Sequence, residues 1–190
     1  MDPFRLLGIE PRFDVNLGEI EKTHRELSRT LHPDRYVGAG ASERREALSR
    51  AADVNEAWRV VRDPVRRAEA LFALAGIRTG DTHEPKPDQA LLFDMLEKRE
   101  ALAEAKAGKD RDRVERLGDA MRADEKKVLG ALAVGFASAA GDTSALEPLL
   151  AKLGELRYMR RFLDEVGAIV DQLDEDALGA DADARKDVPS

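Results

Sequence analysis

The sequence contains no cysteine. Disulfides, thiolate ligation of zinc or of an iron–sulfur cluster by this chain, a cysteine nucleophile and thiol redox chemistry are thereby excluded. Aromatic residues make up only 5% of the 190 positions, with a single Trp, which is thin material for the pleated faces of a β-sandwich. No apolar run approaches the roughly 18 residues a membrane-spanning helix needs. The first residues also lack the basic-then-apolar order of a secretory signal. The expectation is a soluble, cytoplasmic protein without membrane contact, and neither strand alternation nor an internal repeat is evident.

Charge is abundant instead, at 36% of residues with a net of -7. Its distribution matters more than its sum. Residues 1–76 carry 13 basic and 13 acidic side chains, whereas residues 171–190 carry 2 and 7. The acidity therefore belongs mostly to the end of the chain, where 179–190 is expected to be a flexible acidic tail. Global charge then says little about partners of the folded part, in which a local basic face can still exist.

Apolar spacing and punctuation predict an all-α protein. Residues 1–8 (MDPFRLLG) offer an Asp cap, a Pro at the first helical position, apolar Phe4, Leu6 and Leu7, and a Gly stop. Leu17, Ile20, His24, Leu27 and Leu31 recur at three-and-four spacing along a second helix, which His32-Pro33 ends. After the loop YVGAGA, Ser42 is expected to cap a helix carrying Leu48, Ala51, Ala52, Asn55, Trp58 and Val61. Asp63-Pro64 separates it from PVRRAEALFALAG, where Leu71, Phe72 and Leu74 are available for burial and Gly76 for the C-terminus. Two prolines and a glycine in residues 77–87 mark a linker. Three further helical patterns follow, at about 88–107, 110–139 and 143–178, joined by short glycine-containing turns, which predicts an antiparallel three-helix bundle over 88–178.

The tripeptide His32-Pro33-Asp34 lies in the loop after the second helix. A catalytic reading makes His32 a general base oriented by Asp34, yet no nucleophile, phosphate loop or metal cluster accompanies the pair. The bland alternative has Asp34 capping local N–H groups and His32 exposed. The preceding helix adds a discriminating feature, because Lys22, Arg25 and Arg29 fall opposite its apolar stripe and Arg35 continues the basic track beyond the loop. Such a stripe taken alone is an ordinary solvated face.

Together these residues resemble a J-domain, the module that activates the ATPase of DnaK-type chaperones. The likeness rests on the basic second helix, on His32-Pro33-Asp34, and on VNEAWRVVRDPVRRAEAL, residues 54–71, which is similar to the asparagine-containing third helix with its following Asp-Pro and basic pair. Leu31 stands where an aromatic residue is common and Arg35 where Lys is common. The opening MDPFRLLGIEPRF, the ending RAEALFALAG and the lack of a Gly/Phe-rich or Cys-repeat region narrow the resemblance to HscB-type J-proteins, co-chaperones of iron–sulfur cluster assembly.

That resemblance implies a J-domain over 1–76 that docks on a DnaK-type chaperone, HscA, through Lys22, Arg25, Arg29, His32, Pro33, Asp34 and Arg35. It further implies a bundle that carries the IscU-type iron–sulfur scaffold, the match there centring on LLFDMLEKREALAE and on LRY at 156–158. The implied scaffold contacts are Leu92, Phe93, Leu96, Glu97, Glu100 and Tyr158, with Phe93 standing where Met is frequent. Helical spacing bears on the same segment. Leu91, Met95 and Leu102 share one face of the first bundle helix, and Leu92, Phe93 and Leu96 form another, so the second stripe either packs inward or forms a binding surface.

The resulting expectation is a non-enzymatic co-chaperone with no cofactor, no bound metal and no nucleic-acid partner. A J-protein with another client and a helical assembly scaffold without chaperone activity are the alternatives. Other features have plainer readings. Glu21 and His24 spell half of a di-iron motif, but no second copy exists and His24 lies in the apolar stripe, as a core-edge residue. His83 sits in the linker without ligand-like neighbours, and Trp58 reads as core.

Overall fold

The computed structural model describes residues 2–80, 85, 89–139 and 141–184, and every regular element among them is helical. Of the expected linker 77–87, residues 81–84 and 86–87 lie outside the described residues, and with them His83. The expected tail is divided likewise, because the last helix runs to Ala184 and residues 185–190 are outside the description.

Helix α1, Pro3–Leu6, starts where the Asp2 carboxylate accepts the Phe4 and Arg5 N–H groups at 2.9 and 3.2 Å. Gly8, at φ +68°, turns the chain out of it. Asn16 caps α2, Leu17–Thr30, by accepting the Glu19 N–H at 3.3 Å. A 3₁₀ turn, Pro33–Tyr36, leads to α3, Ala41–Arg62. The cap of α3 is Gly40 rather than the expected Ser42: the Gly40 N–H donates to the Glu43 carboxylate at 3.3 Å, so the acidic half of a capping box is supplied two residues earlier than the hydroxyl suggested. Asp63 caps α4, Pro64–Leu74, through the Arg66 N–H at 2.9 Å, and Gly76 ends it at φ +76°.

Helix α3 is the element on which α1, α2, the 3₁₀ turn and α4 all pack. It buries Ala47, Val54, Ala57 and Val61 against Phe4, Leu7, Ile20, Ala68, Leu71 and Phe72. The expected face was therefore displaced, since Leu48 is exposed and the small residues Ala47 and Ala57 let the neighbouring helices approach. Trp58 is half-buried, not core, and stacks on the His24 ring at 5.5 Å.

Helix α5 spans Gln89–Ala107, α6 Arg111–Ala139 and α8 Leu149–Ala184. The segment expected to be one helix from Thr143 is in fact two, a single turn α7, Thr143–Leu146, and then α8. Pro148 accounts for the break, because it offers no N–H to the preceding turn.

The described residues form two compact units. One comprises 2–80 with 131–139 and 141–153; the other comprises 85, 89–130 and 154–184. Residues 131–139 and 141–153, which lie in sequence within the expected bundle over 88–178, thus group with the first unit. Aromatic packing explains the grouping: Phe136 stacks on Phe13 at 5.6 Å and meets Phe72 at 5.1 Å, with Leu132, Leu146, Leu150 and Leu153 buried in the same unit. At Gly135 a side chain would collide with Leu149, so glycine permits the close approach of α6 and α8 there.

The second unit is an antiparallel bundle of α5 and the adjoining stretches of α6 and α8. Glu104 pairs with Arg113 and Lys98 with Asp124, so α5 and α6 run oppositely. Asp174 pairs with Arg111 and Arg160 with Glu125, so α6 and α8 do the same. Leu102, Val114, Met121, Leu156, Met159, Phe162, Val166 and Ile169 fill its core.

Candidate functional site

The basic face and the His-Pro-Asp turn belong to the first unit. Ile20 is buried against α3 and His24, Leu27 and Leu31 are half-buried, which turns Lys22, Arg25 and Arg29 to solvent. A polar clamp fixes that rotation of α2: His24 Nε2 and Asn55 Oδ1 are hydrogen-bonded at 2.9 Å, and Ser28 lies 3.4 Å from the same nitrogen. Arg25 pairs with Glu21 one turn away, an exposed i,i+4 contact too weak to withdraw it from a partner.

In the turn, His32 is extended and Pro33 occupies the first 3₁₀ position. Capping falls to the histidine and not to the aspartate: the Asp34 N–H donates to His32 Nδ1 at 3.3 Å, and Asp34 Oδ2 stands 3.5 Å from that nitrogen. The Arg35 N–H closes the turn on the His32 carbonyl at 3.0 Å. The side chains of His32 and Asp34 are 58% and 85% exposed, so the pair is open to water and to a partner. Such a turn presents a carboxylate at a fixed place, which suits docking. Arg35 is exposed beside it.

The other group of expected residues lies in the second unit. On α5, Leu102 and Ala105 are buried and Leu91 and Met95 half-buried, whereas Leu92, Phe93 and Leu96 are 45%, 65% and 62% exposed. The second stripe is thus outside the core, with Glu97 and Glu100 exposed alongside it. Tyr158 of α8 joins this side of α5, its hydroxyl donating to the Met95 carbonyl at 2.9 Å. Burial raises the phenol pKa above its ordinary value, with nearby Arg99 and Lys98 acting in the opposite sense, so the donor is retained at neutral pH.

Lys98 sets the orientation of α5 from the α6 side, bonding Asp94 at 2.8 Å and Asp124 at 3.1 Å. Burial works against its charge, but the two carboxylates outweigh it and the net shift is upward. Asp124 is held below the ordinary carboxylate range, first by Lys127 and then by Lys98. Among the described residues no cluster of three or more His, Asp or Glu side chains could hold a metal ion, and no helix is long and apolar enough to cross a membrane.

Two exposed apolar residues of the first unit carry no clear signal in the sequence. Val37 follows the turn in a loop, where no periodicity operates, and Leu48 had been placed on the buried face of α3. Arg67, buried beneath Phe13, was hidden within a pair of identical arginines.

Comparison with known proteins covers the regions containing both surfaces. Residues 2–70 match the family described as DnaJ domain, and residues 87–167 the family described as HSCB C-terminal oligomerisation domain. The co-chaperone protein HscB homolog of Neisseria meningitidis serogroup A / serotype 4A is 33% identical over 142 residues, 75% of this chain and 86% of that one. The homolog of Shewanella sp. (strain ANA-3) is 29% identical over 174 residues, covering 91% and 99%. Among solved structures, chaperone HscB from Vibrio cholerae superposes with a TM-score of 0.77 at 26% identity, covering 91% of this chain and 99% of that one. The crystal structure of human co-chaperone protein HscB gives 0.78 at 20% identity over 88% and 81%, a likeness of fold alone. The chain belongs to the HscB family of J-domain co-chaperones.

Proposed function

We propose that the protein stimulates the ATPase of a DnaK-type chaperone, HscA, and delivers an IscU-type scaffold to it during iron–sulfur cluster assembly. The observation that carries this reading is the open His32-Pro33-Asp34 turn at the end of a helix whose outer face is cationic, in a member of a co-chaperone family. Lys22, Arg25, Arg29 and Arg35 would steer association with an acidic surface of the chaperone, acting mainly on the association rate. Pro33 and the capping His32 hold Asp34 where its carboxylate can engage a cationic group of the chaperone. Leu92, Phe93 and Leu96 would bury apolar surface of the scaffold, with Glu97, Glu100 and Tyr158 around them. The chain has no catalysis of its own in this reading.

The test is ATP turnover by the chaperone with and without this protein, beside a pull-down of the scaffold. The native chain is expected to accelerate turnover and retain the scaffold. Asp34→Asn, which removes charge with little change of shape, should abolish the acceleration while leaving the far-UV spectrum and the pull-down unchanged. Acceleration that survives Asp34→Asn removes Asp34 from the mechanism. Absence of any acceleration by the native chain would return the protein to the class of helical assembly scaffolds.

A further inference from the structure

Between α5 and α8, next to the exposed stripe, lies a recess of about 110 Å³ lined by Arg99, Tyr158, Arg161, Phe162 and Glu165. Its floor is aromatic, since Phe162 is buried and the Tyr158 ring stands 6.3 Å from it. Its rim is charged: Arg99, Arg161 and Glu165 are all exposed, giving two positive groups and one negative. Among the described residues, neither arginine is engaged in an ion pair, although salt bridges are frequent elsewhere in this bundle.

The recess is continuous with the stripe. At about 100° per residue around the α5 axis, the outward order is Arg99, Leu92, Leu96, Glu100, Phe93, Glu97. The surface therefore grades from basic on the edge toward α8, through apolar, to acidic on the far edge. Tyr158 fixes the basic edge, because its bond to the Met95 carbonyl ties α8 to the turn of α5 that precedes Arg99.

We infer that Arg99 and Arg161 receive a carboxylate side chain of the scaffold protein, one that flanks the apolar segment covering Leu92 and Leu96. This rests on the reading of the stripe as the scaffold-docking surface. Two planar guanidinium forks at the rim of a recess that Tyr158 and Phe162 also line suit a carboxylate, which they can bond bidentately while the rings limit competing water. Glu165 opposes the incoming charge, so the site carries one net positive charge and the pairing is tuned, not maximal. The polarity of the whole surface then sets the direction in which the scaffold's segment lies on α5, since reversing it would place its acidic group against Glu97 and Glu100.

Isothermal titration of the full-length chain with the IscU-type scaffold, at low and high salt, tests this. Arg99→Gln and Arg161→Gln should each weaken binding about fivefold, and the double variant should also flatten the salt dependence. Glu165→Gln should tighten binding. All three positions are exposed, and thermal melting checks that the fold is retained. The titration of Leu92→Ala with Leu96→Ala separates the inference from the reading beneath it. If that pair abolishes binding while the double arginine variant binds as the native chain does, the recess lies outside the interface and the inference is overturned, with the docking surface intact. If the leucine pair binds as the native chain does, the docking surface itself is wrong and the inference falls with it.

Discussion

Arg66 and Arg67 are adjacent and identical in chemistry, yet one is solvated and the other is 8% exposed. The register of α4 decides between them. With Asp63 as cap, Arg66 lies outward near Glu56, whereas Arg67 turns under Phe13 with its guanidinium carbon 4.8 Å from the ring centre. Its Nη1 donates to the Val61 carbonyl at 2.7 Å, while its buried Nε has no hydrogen-bond partner. Burial lowers its pKa, partly offset by Asp63 and Asp14. Desolvation, one good hydrogen bond and a cation–π contact thus compete at a single side chain. Arg67→Ala removes all three, strands the Val61 carbonyl and leaves a cavity beneath Phe13, at an expected cost of about 2–4 kcal/mol. Urea denaturation measures it, and a loss under about 0.5 kcal/mol would mean that the desolvation penalty had cancelled the bonds.

At the scale of elements, helix starts were legible at Asp2 and Asp63, because a cap is a local interaction written in neighbouring residues. The buried face of α3 was less legible, since alanines carry half of it and a methyl group contributes little to an apolar pattern. The grouping of 131–153 was not legible at all. Periodicity in α6 shows that Phe136 has an inner face, but only tertiary packing shows that Phe13 and Phe72 meet it. The α5 stripe was legible as a second apolar face, while its exposure required the core of the bundle to be known.

The α5–α6 contact through Lys98 adds a pH signature at the same scale. Asp124 is held below its ordinary pKa, so its contribution is full above the ordinary carboxylate range and is lost as pH falls through the lowered value. Lys98 is raised, so its contribution persists through neutral pH and is lost only as pH rises through its elevated value. Asp124→Asn should therefore cost roughly 0.5–1 kcal/mol at neutral pH. That difference from the native chain should shrink to nothing on acidification, as thermal melts across the acid range would show. A cost independent of pH would assign the effect to packing and not to charge.

Across the whole molecule, the chain is a connector between two surfaces of different chemistry. The cationic face and open aspartate sit in one compact unit, and the apolar stripe with its charged flanks sits in the other. The net charge of -7 resembles neither surface, because residues 171–190 account for most of it. If each surface holds its proposed partner, joining them in one polypeptide converts the second encounter into a local one and raises the effective concentration of scaffold at the chaperone. Covalent continuity should then be indispensable, which mixing two defective chains can test. On the proposed function, Asp34→Asn should retain scaffold binding without stimulation, and the Leu92→Ala, Leu96→Ala pair should retain stimulation without scaffold binding. Their mixture should accelerate ATP turnover in the presence of scaffold no more than the leucine variant does alone, since the bound scaffold is carried by the chain that cannot engage the chaperone. If the native chain with scaffold turns ATP over faster than the leucine variant does, recovery of that native rate by the mixture would mean that the surfaces act independently and that tethering contributes nothing.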